Sequence, residues 1–161
     1  MGILNYTSLM NAKQPSAPSA GRPTALTGHA GYLAVALGHH ARKLFEDAIA
    51  PLDLKPMHYD FMATLAECGD VSQRQLAVKL GFDPARIVAL TDALAERDLV
   101  ARTVDASDRR RNLVTLTRKG KTLTRRVARI AQEVEAELLS DLSAEEREQL
   151  RILMRRALNL T

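Results

Sequence analysis

Tryptophan is absent from these 161 residues, and three tyrosines and three phenylalanines leave aromatics at 4% of the chain. Any core must therefore be assembled from Leu, Ala, Val and Ile. Cysteine is nearly absent too. Cys68 stands alone, which excludes a disulfide framework, a Cys-rich zinc site and a CxxC redox pair, and makes a reducing cytoplasm the expected compartment. Its own role is expected to be that of a small apolar filler. No run of 18 apolar residues occurs and the N-terminus lacks a basic-then-apolar leader, so neither membrane insertion nor export is expected. Met1-Gly2 is followed by Tyr6 rather than Ser or Thr, which argues against myristoylation. The P-loop, GxSxG, HExxH and dinucleotide-binding fingerprints are all missing, and Glu133, Glu135 and Glu137 read as a solvated helix face. The expectation is of a protein that is not an enzyme, with no catalytic residues and no cofactor. Adjacent His39 and His40 would point about 100° apart on a helix, so they do not chelate one ion, and no metal site is expected.

What is present is a globular composition, 46% hydrophobic and 26% charged, with its charge unevenly placed. The formal net charge is +4, yet from Arg102 to Arg126 nine basic residues face only Asp105 and Asp108, a local +7. The remainder is slightly acidic. A field concentrated in this way is suited to a polyanion.

The length corresponds to one domain. Residues 1–26 carry three of the six prolines, with Ser8, Ser16 and Ser19, and read as a flexible N-terminal arm; the fold is expected over 27–161. Leu33, Leu37, Ala41, Leu44 and Ala48 recur at helical steps until Pro51. A second helix begins at Pro56, buries Phe61, Met62 and Leu65, and ends at Gly69. Ser72-Gln73-Arg74-Gln75 is a capping box opening a short helix to Leu80. Gly81 breaks it, Asp83 is a good N-cap with Pro84 in the first turn, and the next helix runs to about Arg97. The period then changes to two over Leu99–Val104 and Leu113–Leu116, predicting a β-hairpin with a charged tip. Thr117 caps a long helix striped by Leu123, Val127, Ile130, Val134 and Leu138. Ser143-Ala144-Glu145-Glu146 opens a last one with Leu150, Leu153, Met154 and Ala157 inward.

The two helices around Gly81 meet the needs of a helix-turn-helix. Ala77 is small where the helices cross, Gly81 tolerates an unusual φ, and Leu76, Leu80, Phe82, Ile87 and Leu90 fall where they would pin one helix on the other. Pro84, Ala85, Arg86, Val88 and Ala89 are left on the exposed early part of the second helix, the part such motifs present to base edges. Asp108-Arg109-Arg110-Arg111 follows at the hairpin tip, where long cations can enter a minor groove or hold phosphates.

From about residue 30 onward the chain resembles the MarR family. The resemblance is carried by Ser72-Gln73-Arg74-Gln75-Leu76-Ala77, Leu80-Gly81, Leu94, Leu99-Val100, Arg102, Asp108-Arg109-Arg110, Val114, Leu116-Thr117 and Gly120. It implies a mainly α fold with a small β-hairpin wing. The winged helix-turn-helix would occupy 55–117, and 27–50 and 118–161 would be dimerisation helices. It also implies a homodimer on double-stranded DNA, acting on a pseudo-palindromic operator as a ligand-responsive repressor, with Asp108 orienting Arg110 toward the minor groove. Two departures stand out: Asp98 replaces a glycine frequent before the first wing strand, and Ala89 replaces a frequent recognition-helix arginine.

The expected DNA-contacting set is accordingly Ser72, Gln73, Arg74, Pro84, Ala85, Arg86, Ala89, Arg109, Arg110 and Arg111. Arg86 would make the main base-edge contact, and Ala85 and Ala89 would make only apolar ones. For a small-molecule effector, the candidate lining is His39, His40, His58 and Tyr59; the competing reading makes them half-buried packing residues. A winged helix used solely for protein contact is the alternative function, since fold does not dictate function.

Overall fold

The computed structural model describes residues 24–104 and 112–160; the expected arm through Pro23 and the hairpin tip 105–111 lie outside them. The elements run α1 (Thr24–Thr27), α2 (Ala30–Ile49), a 3-10 turn (Ala50–Leu52), α3 (Pro56–Cys68), β1 (Val71–Ser72), α4 (Gln73–Leu80) and α5 (Pro84–Glu96). They continue with β2 (Val100–Val104), β3 (Asn112–Leu116), α6 (Arg118–Leu138) and α7 (Ala144–Ala157). The fold is mainly helical, as the periodicity predicts. Residues 24–26, assigned to the arm from composition, belong to the short α1 instead.

Local chemistry sets most boundaries. Thr117 Oγ1 accepts from the Gly120 amide at 2.9 Å and Ser143 Oγ from Glu146 at 3.2 Å, satisfying N–H groups that the first helical turn leaves orphaned. Gly69, at φ +74°, ends α3.

Two expectations change. The hairpin becomes a three-stranded antiparallel sheet in the order β1-β3-β2, because Val71 and Ser72 pair with Val114 and Leu113. A two-residue strand is too short to show alternation, so pattern alone does not reveal it. The second change concerns α7, where Leu150 is only half-buried and Leu153, Met154 and Ala157 are exposed rather than turned inward. Every residue from Arg151 to Leu160 is exposed. Leu33, in the α2 stripe, is likewise 48% exposed. An amphipathic pattern records that a face must be covered, without recording which chain covers it.

The core lies between α3, α4, α5, the sheet and the first half of α6. Phe61, Met62, Leu76, Ile87, Leu94, Leu99, Val114 and Val127 are all buried there. Thr91 and Thr124, both buried, are internally satisfied: Thr91 Oγ1 donates to the Ile87 carbonyl and Thr124 Oγ1 to that of Gly120. Gly120 allows α6 to press against the sheet, since a Cβ there would overlap the Leu99 carbonyl. The result is a packed block in which α5 buries Ile87, Leu90, Thr91 and Leu94 and leaves Pro84, Ala85, Val88 and Ala89 exposed.

Candidate nucleic-acid interface

Helix α4 is fixed at both ends by its own sequence. The Ser72 amide donates to Gln75 Oε1 at 2.9 Å, while Ser72 Oγ accepts from the Gln75 amide at 3.3 Å. The hydroxyl also donates to Gln75 Oε1 at 2.8 Å, so Ser72 is committed to the cap. At the other end Gly81 takes φ +64°, and Phe82 N–H donates back to the Ala77 carbonyl at 3.1 Å. Asp83 Oδ1 then accepts from the Arg86 amide at 2.8 Å and opens α5.

Helix α5 divides cleanly. Ile87, Leu90, Thr91 and Leu94 are buried, whereas Pro84, Ala85, Val88 and Ala89 are exposed. Arg86 departs from its expected presentation. Its guanidinium lies 4.4 Å from the Phe82 ring centroid, and Nη2 donates to Met57 Sδ at 3.8 Å. It is half-buried against its own chain, where a cation over an aromatic face is stabilised by the ring quadrupole. Arg74, one residue into α4, is exposed. With Gln73, Val78, Phe82, Pro84 and Val88 it lines a shallow groove of about 530 Å³ between α4 and α5. Gln73 Nε2 is buried without an acceptor.

The wing is tied to this helix by charge. Arg102 Nη2 on β2 donates to Asp92 Oδ1 on α5 at 2.5 Å, with both side chains roughly half exposed. Asp108, Arg109, Arg110 and Arg111, the expected wing residues, lie outside the described residues.

Behind the motif, Arg97 donates to the carbonyls of Asp53 (2.6 Å) and Leu52 (2.9 Å), clamping the turn before α3 to the end of α5. Asp98 adopts φ +56°, a left-handed conformation that glycine reaches without strain; this is the physical content of its replacing a glycine. Sequence reasoning missed Arg97 and the Asp92–Arg102 pair, whose partners lie far apart in the chain. The four-residue spacing of Phe82 and Arg86 is a signal that could have revealed their stacking.

The candidate effector residues are partly absorbed by structure. His58 Nδ1 accepts from the Lys55 amide at 3.1 Å, capping α3. Its pKa is lowered by burial, then by the charges of Arg97 and Lys55, with Asp53 acting the other way. Tyr59 packs on Phe45 with ring centroids 5.6 Å apart, and burial followed by the Asp60 charge raises its pKa. His39 and His40 are half-buried on α2, and His39 Nδ1 is buried without a hydrogen-bond partner. Cys68 is half-buried at the end of α3. Among the described residues no group of three or more His, Cys, Asp or Glu could hold a metal ion, and no helix is long and apolar enough to cross a membrane.

Comparison with known proteins places this geometry among regulators. A model of the MarR family matches residues 52–111. A probable transcriptional regulator from Pseudomonas aeruginosa is 30% identical, with a TM-score of 0.70 over 82% of this chain and 98% of that one. CouR from Rhodococcus jostii RHA1, bound to p-coumaroyl-CoA, is 28% identical, with a TM-score of 0.72 over 86% of this chain and 98% of its own. A mutant MarR from E. coli, complexed with operator DNA, matches with a TM-score of 0.69 over 79% of this chain and 91% of its own. At 22% identity that likeness speaks to the fold.

Proposed function

From its membership of the MarR family, to which this chain belongs, we propose that the protein is a sequence-specific double-stranded DNA-binding regulator acting in the cytoplasm as a homodimer. The observation that carries the reading is the exposed face of the first half of α5, opposite the buried Ile87 and Leu90, on a helix tied to the wing by Arg102–Asp92. An exposed recognition helix beside a ribbon that leads into three consecutive arginines suits a major groove with an adjoining minor groove. Arg74, Arg109, Arg110 and Arg111 supply phosphate or minor-groove attraction, Asp108 orients Arg110, and Gln73, Pro84, Ala85 and Ala89 border the bases.

Pairing is supported by the uncovered apolar side chains of the terminal helices. Ile152, Leu153, Leu158 and Leu160 are 45–66% exposed and Leu33 and Val35 48%, apolar surface that a second copy would cover. Two-fold pairing would set the recognition helices about 34–36 Å apart, matched to a pseudo-palindrome. Repression relieved by a small-molecule effector is the regulatory reading; the p-coumaroyl-CoA held by CouR supports an organic ligand. His39 and His40 remain its candidate lining on this chain.

Selection of bound sites from random duplex DNA, followed by a salt series, tests the proposal. The expected result is a two-fold symmetric site whose affinity falls steeply with salt, by about 0.9 log unit per log unit of salt for each phosphate neutralised. Recovery of no site, with salt-independent binding, would overturn it.

A further inference from the structure

Within the reading of α5 as a recognition helix, on which this inference rests, the chemistry of the helix surface restricts which bases it can favour. Between Asp83 and Asp92 the chain has a single cation, Arg86, and that side chain is turned onto Phe82 and Met57. Asp92 is held by Arg102. The face left to solvent over the first two turns is Pro84, Ala85, Val88 and Ala89, at the i, i+1, i+4, i+5 positions that share one side of a helix. Val88 is 43% exposed, and Val78 on the neighbouring α4 is 78% exposed. None of these side chains carries a hydrogen-bond donor or acceptor.

Each base pair offers donors and acceptors in the major groove, and only thymine adds a methyl group there. A methyl-bearing surface gains by covering another methyl. Against guanine N7 and O6 or the cytosine amino group it would strip water and return no hydrogen bond, which is unfavourable.

We infer that α5 reads thymine 5-methyl groups through Ala85, Val88 and Ala89, and that Arg86 is a positioning residue which braces the helix from behind. Specificity at these positions comes from methyl contact and from rejection of unsatisfied polar edges, while the arginines supply affinity independent of sequence.

The test uses the full-length protein and the duplex site recovered by selection, resynthesised with deoxyuridine in place of thymidine at the half-site positions. Uracil pairs identically and lacks only the methyl. The expected loss is about three- to fivefold per methyl removed, as for one buried methyl-sized group. Val88→Ala should shrink the thymine-to-uracil ratio, and Arg86→Ala should leave that ratio unchanged. Equal binding of thymine and uracil duplexes would overturn the inference while leaving DNA recognition intact. So would a G·C-rich half-site whose preference disappears in Arg86→Ala. Failure to recover any site would overturn the regulator reading itself, and this inference with it.

Discussion

The Arg86 guanidinium lies over the Phe82 ring, 4.4 Å from its centroid, so the cation in the first turn of α5 faces its own protein. Phe82 follows the left-handed Gly81 and packs on the core, and Arg86 therefore links the turn to α5 and, through Met57, to α3.

Arg86→Ala should lower stability by about 0.5–1 kcal/mol, the range for a partly exposed cation–π pair. Chemical denaturation measures that loss. In the same variant the slope of log affinity against log salt should stay at the wild-type value. A slope smaller by about one would mean that Arg86 neutralises a phosphate.

Gly120→Ala should be far more damaging. Its Cβ would fall against the Leu99 carbonyl oxygen and 2.9 Å from the carbonyl carbon, both backbone atoms that cannot rotate aside. Separating the first turn of α6 from Leu99, the residue before β2, should cost about 2 kcal/mol or more. Thermal denaturation would reveal it, and a gain of stability, as expected for an unhindered helical glycine, would contradict the close approach.

Acid should weaken the protein through His58. Because burial, Arg97 and Lys55 lower its pKa in the folded state, the unfolded chain takes up this proton first as pH falls. The contribution is therefore complete above the ordinary imidazole value of 6.5 and is lost as pH falls below it. A protonated imidazole also cannot accept from the Lys55 amide. His58→Gln keeps an acceptor at the same capping position without the titration. Denaturation midpoints between pH 7.5 and 5 should fall in the wild type and flatten in the variant. Asp60 acts in the opposite sense in more acidic solution: burial raises its carboxyl above the ordinary value of 3.8, despite Arg42, so its protonation favours the fold.

Leu153→Asp combined with Leu158→Asp should dissociate the proposed homodimer. Both side chains are exposed in the single chain, at 59% and 66%, so the substitutions should leave helix content unchanged by circular dichroism. Each loses roughly 1.5–3 kcal/mol if buried at an interface, enough to raise the dimer dissociation constant by more than about a hundredfold. Sedimentation would read the change. An unaltered mass would place the pairing surface elsewhere.

Much of this molecule is legible in its sequence because its helix ends are set locally. Ser72, Asp83, Thr117 and Ser143 each cap the next residues in the chain, Gly69 and Gly81 adopt positive φ, and the core positions Phe61, Met62, Leu65, Ile87 and Leu90 follow from period alone. Those interactions span three or four residues, so a short window contains both partners. The third strand, the Arg97 clamp on Leu52 and Asp53, and the Asp92–Arg102 tie join positions that only the folded chain brings near.

The amino-acid order by itself determined where helices start and stop, which faces are apolar, and that positive charge gathers between Arg102 and Arg126. Tertiary structure alone decided where the side chains point. Arg86 is turned from its expected place at the bases toward Phe82, His58 from a pocket lining to a cap, and α7 from an inward face to an exposed one. The reason is that capping and periodicity are short-range and additive along the chain. The direction of a long side chain, or the covering of an apolar stripe, is settled by competition among surfaces that meet only after folding.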